Sequence, residues 1–241
     1  THTEKWIFPP KEQPAPPTPE VEPPVEGQPA AGAAAIETPP PPPKPADPEP
    51  TGAFAYARPH LTQDGKTIVL GNLDGYLYGV NKKDGSFAWR FATDGVAAHK
   101  GITSSVSESN GVLFFGANDG NVYAIRASDR SVVWKVQTGD EVNSSPVIDE
   151  NGVLYVGSSD KKLYAIDTKS GNKNWTAPVM GPIRAIPAIY KNLVIVGADE
   201  GDGHIYAFEK SNGDIFWKYA TGEFGIEADT VIRDDRFYVA S

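Results

Sequence analysis

Tyr164-Ala165-Ile166-Asp167-Thr168-Lys169-Ser170-Gly171-Asn172-Lys173-Asn174-Trp175 decides the fold, because the stretch recurs. The same pattern runs from Tyr78 to Trp89, from Tyr123 to Trp134 and from Tyr206 to Trp217, with Tyr and Trp always 11 residues apart. Successive Trp residues are 45, 41 and 42 positions apart. Asp74, Asp119, Asp160 and Asp202 sit four residues before each Tyr. Gly71, Gly116 and Gly157 come seven before it, and Gly197 comes nine before it because Asp199-Glu200-Gly201-Asp202 carries a two-residue insertion. A fixed period of this length identifies a repeat architecture and outranks any local assignment.

Each unit reads as four short strands. In one unit these are residues 145–148, 153–156, 163–166 and 174–176, all β-branched or aromatic and bounded by turn residues. Asn110-Gly111 and Asn151-Gly152 are hairpin-turn dipeptides, since both residue types tolerate positive φ. No stretch of residues 58–241 sustains a 3.6-residue period, so helix is expected to be nearly absent. A repeated four-stranded antiparallel unit of this length predicts an all-β fold, a β-propeller whose blades stack radially on a layer of aromatic side chains. Residues 60–62 and 68–70 open the first blade, and residues 228–241 add two strands of a fifth, about four and a half blades. Eight blades of ~42 residues need roughly 340 residues, so the stretch is expected to belong to a longer propeller.

The composition divides the chain. Of its 22 prolines, 17 lie in residues 1–57. Runs such as Pro39 to Pro43 fix φ and lack N–H donors, so this segment is expected to be an extended polyproline II tail or docking segment ahead of the propeller of residues 58–241. Trp6-Ile7-Phe8 is an apolar triplet in polar surroundings, which makes Trp6 and Phe8 candidate anchors for a partner. The net charge is -9, with no basic run, which excludes a nucleic-acid partner. No apolar run reaches the roughly 18 residues of a membrane span. There is no Cys, and hence no disulfide, thiolate metal site or Cys nucleophile.

The units resemble the PQQ-type propeller repeat in its tryptophan-docking form. The resemblance implies that Trp89, Trp134, Trp175 and Trp217 form a girdle, each packing on the neighbouring blade near a repeat Gly (Gly85, Gly171 or Gly213), with Tyr78, Tyr123, Tyr164 and Tyr206 as companion blade residues. Arg130 replaces the Gly in the second copy. A non-Gly residue at positive φ costs roughly 1 kcal/mol, so this turn is expected to differ. The quinoprotein dehydrogenases of the family hold their quinone between a Trp and a vicinal disulfide. That disulfide is ruled out in this stretch, and the girdle accounts for the four Trp of the repeat. No catalytic, cofactor-binding or metal-ligating residue is therefore assigned.

The remaining candidates fare no better as chemistry. His2, His60, His99 and His204 match no metal spacing. Residues 199–203 form an acidic turn without the long loop of a calcium site. Function is sought instead where the copies differ, in residues 93–103, 138–144, 178–186 and 221–229, which are expected at one mouth of the channel. Ile102, Arg184 and Glu227 are taken as equivalents of Asn143. Lys100, Glu141, Arg184 and Glu227 then form a mixed-charge rim with Val179, Met180 and Phe224, suited to protein contact. The expected role is a non-enzymatic scaffold of the bacterial envelope, periplasmic or extracellular, within a multi-subunit assembly. In character it resembles the propeller lipoproteins of outer-membrane barrel assembly. The alternatives are a quinoprotein dehydrogenase or degenerate relative with its site in blades missing from this stretch, and a subunit of an extracellular fibre or large complex.

Overall fold

The computed structural model describes residues 53–54, 57–98, 100–199, 201–222, 225–226, 229, 231–233 and 236–238. Trp6, Phe8, Phe224 and Glu227 lie outside the described residues, as do His2 and His99.

Blade 1 consists of β1 (His60–Leu61), β2 (Thr67–Gly71), β3 (Tyr76–Asn81) and β4 (Phe87–Ala92). Blade 2 consists of β5 (Ser107–Ser109), β6 (Val112–Gly116), β7 (Asn121–Arg126) and β8 (Val132–Gln137). Blade 3 holds β9 (Val147–Ile148), β10 (Val153–Ser158), β11 (Lys162–Asp167) and β12 (Lys173–Pro178). Blade 4 holds β13 (Ala188–Tyr190), β14 (Leu193–Gly197), β15 (His204–Glu209) and β16 (Ile215–Ala220). A final pair, β17 (Val231–Arg233) and β18 (Arg236–Tyr238), begins a fifth. Within each blade the strands pair antiparallel in chain order. The helical content of the described residues is a single 3-10 turn at Val96–Ala98. The propeller expected from the repeat is the fold observed.

The core is a series of layers between neighbouring blades. Phe114, Val122 and Trp134 of blade 2 pack on Leu154, Val156 and Tyr164 of blade 3. Tyr155, Leu163 and Ala177 of blade 3 pack on Val194, Val196 and Phe208 of blade 4. The repeat Gly at the end of each second strand is what lets the blades approach. A Cβ on Gly71, Gly116, Gly157 or Gly197 would lie 2.2–2.6 Å from a side-chain carbon of Ile102, Val142, Ile183 or Ile226 respectively. Those four aliphatic residues come from the next blade and are fully buried. Ile102 is thus the counterpart of Val142. The counterpart of Asn143 is Thr103, one position later than the spacing suggested.

Each blade also carries a feature that the pattern did not announce. The pairing of its third and fourth strands slips by one residue, between Gly79 and Val80, Ala124 and Ile125, Ala165 and Ile166, and Ala207 and Phe208. A bulge bends the outer strand and re-aims the residues beside it. Here the residue beside it is the repeat Trp, paired with Gly79, Ala124, Ala165 or Ala207.

Candidate functional site

The repeat Asp and Tyr form a clamp between blades. Tyr78 donates its hydroxyl to Asp74 at 2.8 Å, Tyr123 to Asp119 at 2.6 Å and Tyr206 to Asp202 at 2.9 Å, and Tyr164 donates to Asp160. The other carboxylate oxygen of Asp74, Asp119 and Asp160 accepts the backbone N–H of Tyr76, Asn121 or Lys162, which closes the hairpin turn. In blades 2 to 4 the carboxylate also reaches back to the preceding loop. Gly95 N donates to Asp119 at 3.1 Å, Gly139 N to Asp160 at 2.8 Å, and Met180 N and Gly181 N to Asp202 at 2.8 and 3.1 Å. Burial first, and then the adjacent carboxylate, pushes the hydroxyls of Tyr78 and Tyr206 up to about 12, and those of Tyr123 and Tyr164 further up.

The girdle residues do not behave alike. Trp134 lies against Gly171 of the next blade and donates Nε1–H to Thr168 O at 2.9 Å. Trp175 lies against Gly213 and donates to Lys210 O at 2.9 Å. Trp217 packs on Phe237 with ring centres 5.9 Å apart. Trp89 instead meets Arg130, whose guanidinium is 5.7 Å from the ring centre. Its indole crosses its own strand partner Gly79, where a Cβ would lie 2.2 Å from Cε2. The turn at Arg130 does not differ from the others, contrary to expectation. Its φ is 63°, beside 74° at Gly85 and Gly171. The left-handed conformation survives because Arg130 Nη1 donates to Ser128 O at 2.5 Å and the side chain covers Trp89.

The inner ends of the blades enclose a cavity of about 490 Å³. Two rings of repeat positions line it. One ring is Thr103, Asn143 and Arg184, and the other includes Arg58, Ser105, Ser145, Ile186 and Asp229. Neighbouring members of the second ring are linked, Arg58 N to Ser105 Oγ at 2.7 Å and Ser105 N to Ser145 Oγ at 2.8 Å. Ile186 N donates to Asp229 Oδ1 at 3.1 Å. Arg58 Nη2 meets Asp229 Oδ2 at 2.7 Å, joining blades that are not sequence neighbours. In the first ring Thr103 donates to Asn118 Oδ1 at 3.1 Å, and Arg184 pairs with the buried Asp199. Asn143 Oδ1 is buried without a hydrogen-bond partner.

The rim candidates take three different positions of the repeat. Asn118 N binds Gly101 O, Ser159 N binds Glu141 O and Asp199 N binds Pro182 O, which makes Gly101, Glu141 and Pro182 equivalent. Lys100 is therefore one step before this position and Arg184 two steps after it. Lys100 is exposed, while Glu141 and Arg184 are half-buried. Met180 is 69% exposed at the tip of the loop that Asp202 pins. The acidic turn directs its oxygens inward, Asp199 to Arg184 and Asp202 to Tyr206, His204 and the loop amides. Among the described residues, no group of three or more His, Asp or Glu is placed to hold a metal ion. No helix among them is long and apolar enough to cross a membrane.

Residues 118–241 match a family model described as outer membrane protein assembly factor BamB. No match is found among curated proteins. Among solved structures, BamB from Moraxella catarrhalis superposes with a TM-score of 0.59 at 16% identity, over 73% of this chain and 55% of that one. The computationally designed protein Ika8 gives 0.60 at 16% identity, over 75% and 54%. A quinohemoprotein alcohol dehydrogenase from Pseudomonas putida gives 0.65 at 15% identity, over 80% and 39%. The chain thus spans about half the length or less of these structures, and at such identities the likeness concerns the fold. The family model covers just over half of the chain, including three of its four Tyr–Trp units, and the chain belongs to the PQQ-type propeller family of the outer membrane protein assembly factor BamB.

Proposed function

We propose that the chain is a non-enzymatic scaffold of the bacterial cell envelope, working in the periplasm as one subunit of a larger assembly. The match to an assembly-factor family carries this reading. The geometry supports it. Two arginines at the channel mouth are engaged within the propeller, Arg184 by Asp199 and Arg58 by Asp229, and the repeat acids hold loops. What the molecule offers outward is a set of rigid loops of differing sequence. The Met180 loop fits this role best, because Asp202 fixes its backbone while its apolar tip stays exposed. A fixed apolar side chain on an ordered loop loses little entropy on docking, which is the condition for a strong contact. The Pro-rich segment tethers the propeller to the assembly.

The test is cross-linking in intact cells with the full chain, followed by identification of the joined subunits. Met180→Asp is expected to abolish the principal cross-link while leaving the circular dichroism spectrum unchanged. Retention of the same cross-link would overturn the assignment of that loop. Alcohol-dependent dye reduction by the full-length protein supplied with pyrroloquinoline quinone and Ca²⁺ would overturn the non-enzymatic reading.

A further inference from the structure

The repeat supplies its own controls at the turn between the second and third strands of each blade. The residue after the clamp Asp is Gly75, Gly120 or Gly203 in blades 1, 2 and 4, and Lys161 in blade 3. All four are left-handed, with φ of 85°, 85°, 61° and 67° respectively. The carbonyl of each glycine accepts a threonine hydroxyl, from Thr93, Thr138 or Thr221. The carbonyl of Lys161 accepts the backbone N–H of Val179 at 2.9 Å, and Val179 has no hydroxyl to add. The next residue is Asp94, Gly139 or Gly222 in the other blades and the exposed Met180 in blade 3.

Each of these departures works against the folded chain taken alone. A side chain at left-handed φ is disfavoured, Val179 forgoes a hydrogen bond, and Met180 holds a large apolar group in water. The other described non-glycine residues at positive φ make contacts within the molecule, Asn110 with Ser109, Arg130 with Ser128 and Trp89, and Lys191 with the Tyr190 ring. Among the described residues the exposed Lys161 side chain has no hydrogen bond, ion pair or ring contact. The corner around it is open. In blades 1 and 2 the following loop lies over the glycine, where a Cβ would come within 2.9 Å of Lys100 O or 3.3 Å of Asp140 O. The acids nearby are turned to the protein. Asp160 binds Tyr164 and Gly139 N, Asp202 binds Tyr206 and Met180 N, and both side chains are buried. On the preceding loop Asp140 accepts the N–H of Glu141, and Glu141 reaches Asn143. Lys162, exposed beside Lys161, keeps a 3.9 Å contact with Asp160. Blade 3 thus presents an apolar tip bordered by ammonium groups at a place where the other blades present neither.

We propose that this corner takes an acidic segment of another subunit, with Met180 in an apolar pocket of that subunit and Lys161 paired with an aspartate or glutamate at the pocket's edge. The proposal rests on the scaffold reading and deepens it by naming the chemistry of the partner. Met180 supplies contact area. Lys161 sets specificity, since a cation at the border of an apolar contact favours a partner with a carboxylate there and rejects one with a cation.

A carbodiimide joins a lysine amine to a touching carboxylate as an amide, taking up the water that is lost, and mass spectrometry locates the bond. In cells carrying the full chain, Lys161 is expected to be joined to an Asp or Glu of the same protein that forms the principal cross-link. Lys161→Arg keeps the charge and is expected to keep that cross-link. Lys161→Gly restores the residue of the other blades. It is expected to match or exceed the parent in urea midpoint while the cross-link falls about fivefold or more. Lys161→Glu is expected to abolish the cross-link. A cross-link that persists in Lys161→Gly and Lys161→Glu but is lost in Met180→Asp would overturn this proposal and leave the docking loop standing. Retention in Met180→Asp as well would remove the loop assignment itself. Sedimentation of the parent, and not of Lys161→Gly, with phosphatidylglycerol vesicles would overturn the proposal in favour of a membrane surface. An amide between two copies of the chain would overturn it in favour of self-association.

Discussion

Gly79 and Arg130 are coupled through one side chain, the Trp89 indole, which crosses the Cα of Gly79 and meets the guanidinium of Arg130. The other blades have Ala124, Ala165 and Ala207 at the Gly79 position. The two departures from the repeat therefore compensate each other. Arg130 occupies the space a docking indole would use, and the missing Cβ at Gly79 receives the displaced ring. Gly79→Ala is expected to destabilise the protein by about 1–3 kcal/mol through overpacking. Arg130→Gly combined with Gly79→Ala is expected to recover most of that loss. Urea denaturation of both single variants and the double variant closes the cycle, and simple additivity would refute the coupling.

The Tyr–Asp clamp predicts a graded series. Tyr123 both donates to Asp119 and accepts the N–H of Asp94 at 2.9 Å. Removing its hydroxyl breaks two part-buried hydrogen bonds, so Tyr123→Phe is expected to cost about 1–3 kcal/mol. Tyr78 meets Asp74 and the half-buried Arg90, whose guanidinium can turn to water instead, so Tyr78→Phe is expected to cost less. Chemical denaturation of the two variants gives the order.

The same hydroxyls set an alkaline limit. Unfolded tyrosine ionises near 10, and folded Tyr78 and Tyr206 near 12, because burial and the nearby carboxylate disfavour phenolate. Tyr123, Tyr155 and Tyr164 are pushed up as well. Between the two values the unfolded chain holds fewer protons than the folded one. Stability is therefore complete below pH 10 and falls as the pH rises toward the folded values. Denaturation midpoints are expected to drop between about pH 9 and about pH 11, and to drop less steeply in Tyr164→Phe.

Lys210 joins blade 4 to Asp149 and Glu150 of blade 3. Burial works to raise the Asp149 carboxyl, but hydrogen bonds from Lys210, Val153 and Asn151 outweigh it and hold the group low. Its contribution is present above the unfolded value of about 4 and is lost as the pH falls through the lower folded value. Lys210→Met leaves that carboxylate without its cation and is expected to cost about 1–3 kcal/mol at neutral pH. Because protonating the carboxyl removes the charge left without its cation, the penalty should shrink under acid. Thermal melts of both proteins from neutral to acidic pH measure the difference.

Much of this architecture is legible in one chain because repetition amplifies it. The Tyr-to-Trp spacing, the repeat glycines and the hairpin dipeptides mark the blades without help from tertiary structure. The bulge beside each Trp is not legible, since one extra residue in a β-branched or aromatic run leaves the composition unchanged. The channel rings are hidden for the opposite reason. Thr103, Asn143 and Arg184 share a position but no chemistry, so no period reveals them, and Ile102 was mistaken for a member. The Arg130 turn misleads because what sustains it, a contact with Trp89 and a bond to Ser128, includes a residue 41 positions away in another blade.

The Arg58–Asp229 pair bears on the order in which the chain folds. Its partners are 171 residues apart, whereas the Trp134-to-Thr168 bond spans 34. Closing the longer loop from the unfolded chain costs about 1.4 kcal/mol more entropy than closing the shorter one. An ion pair with an arginine this open to water returns at most about 1 kcal/mol. It does not cover that difference by itself, so it forms only once intervening blades have brought its ends together. A probe on Arg58 or Asp229 would thus report the last stage of assembly, while Trp134 reports the joining of two adjacent blades.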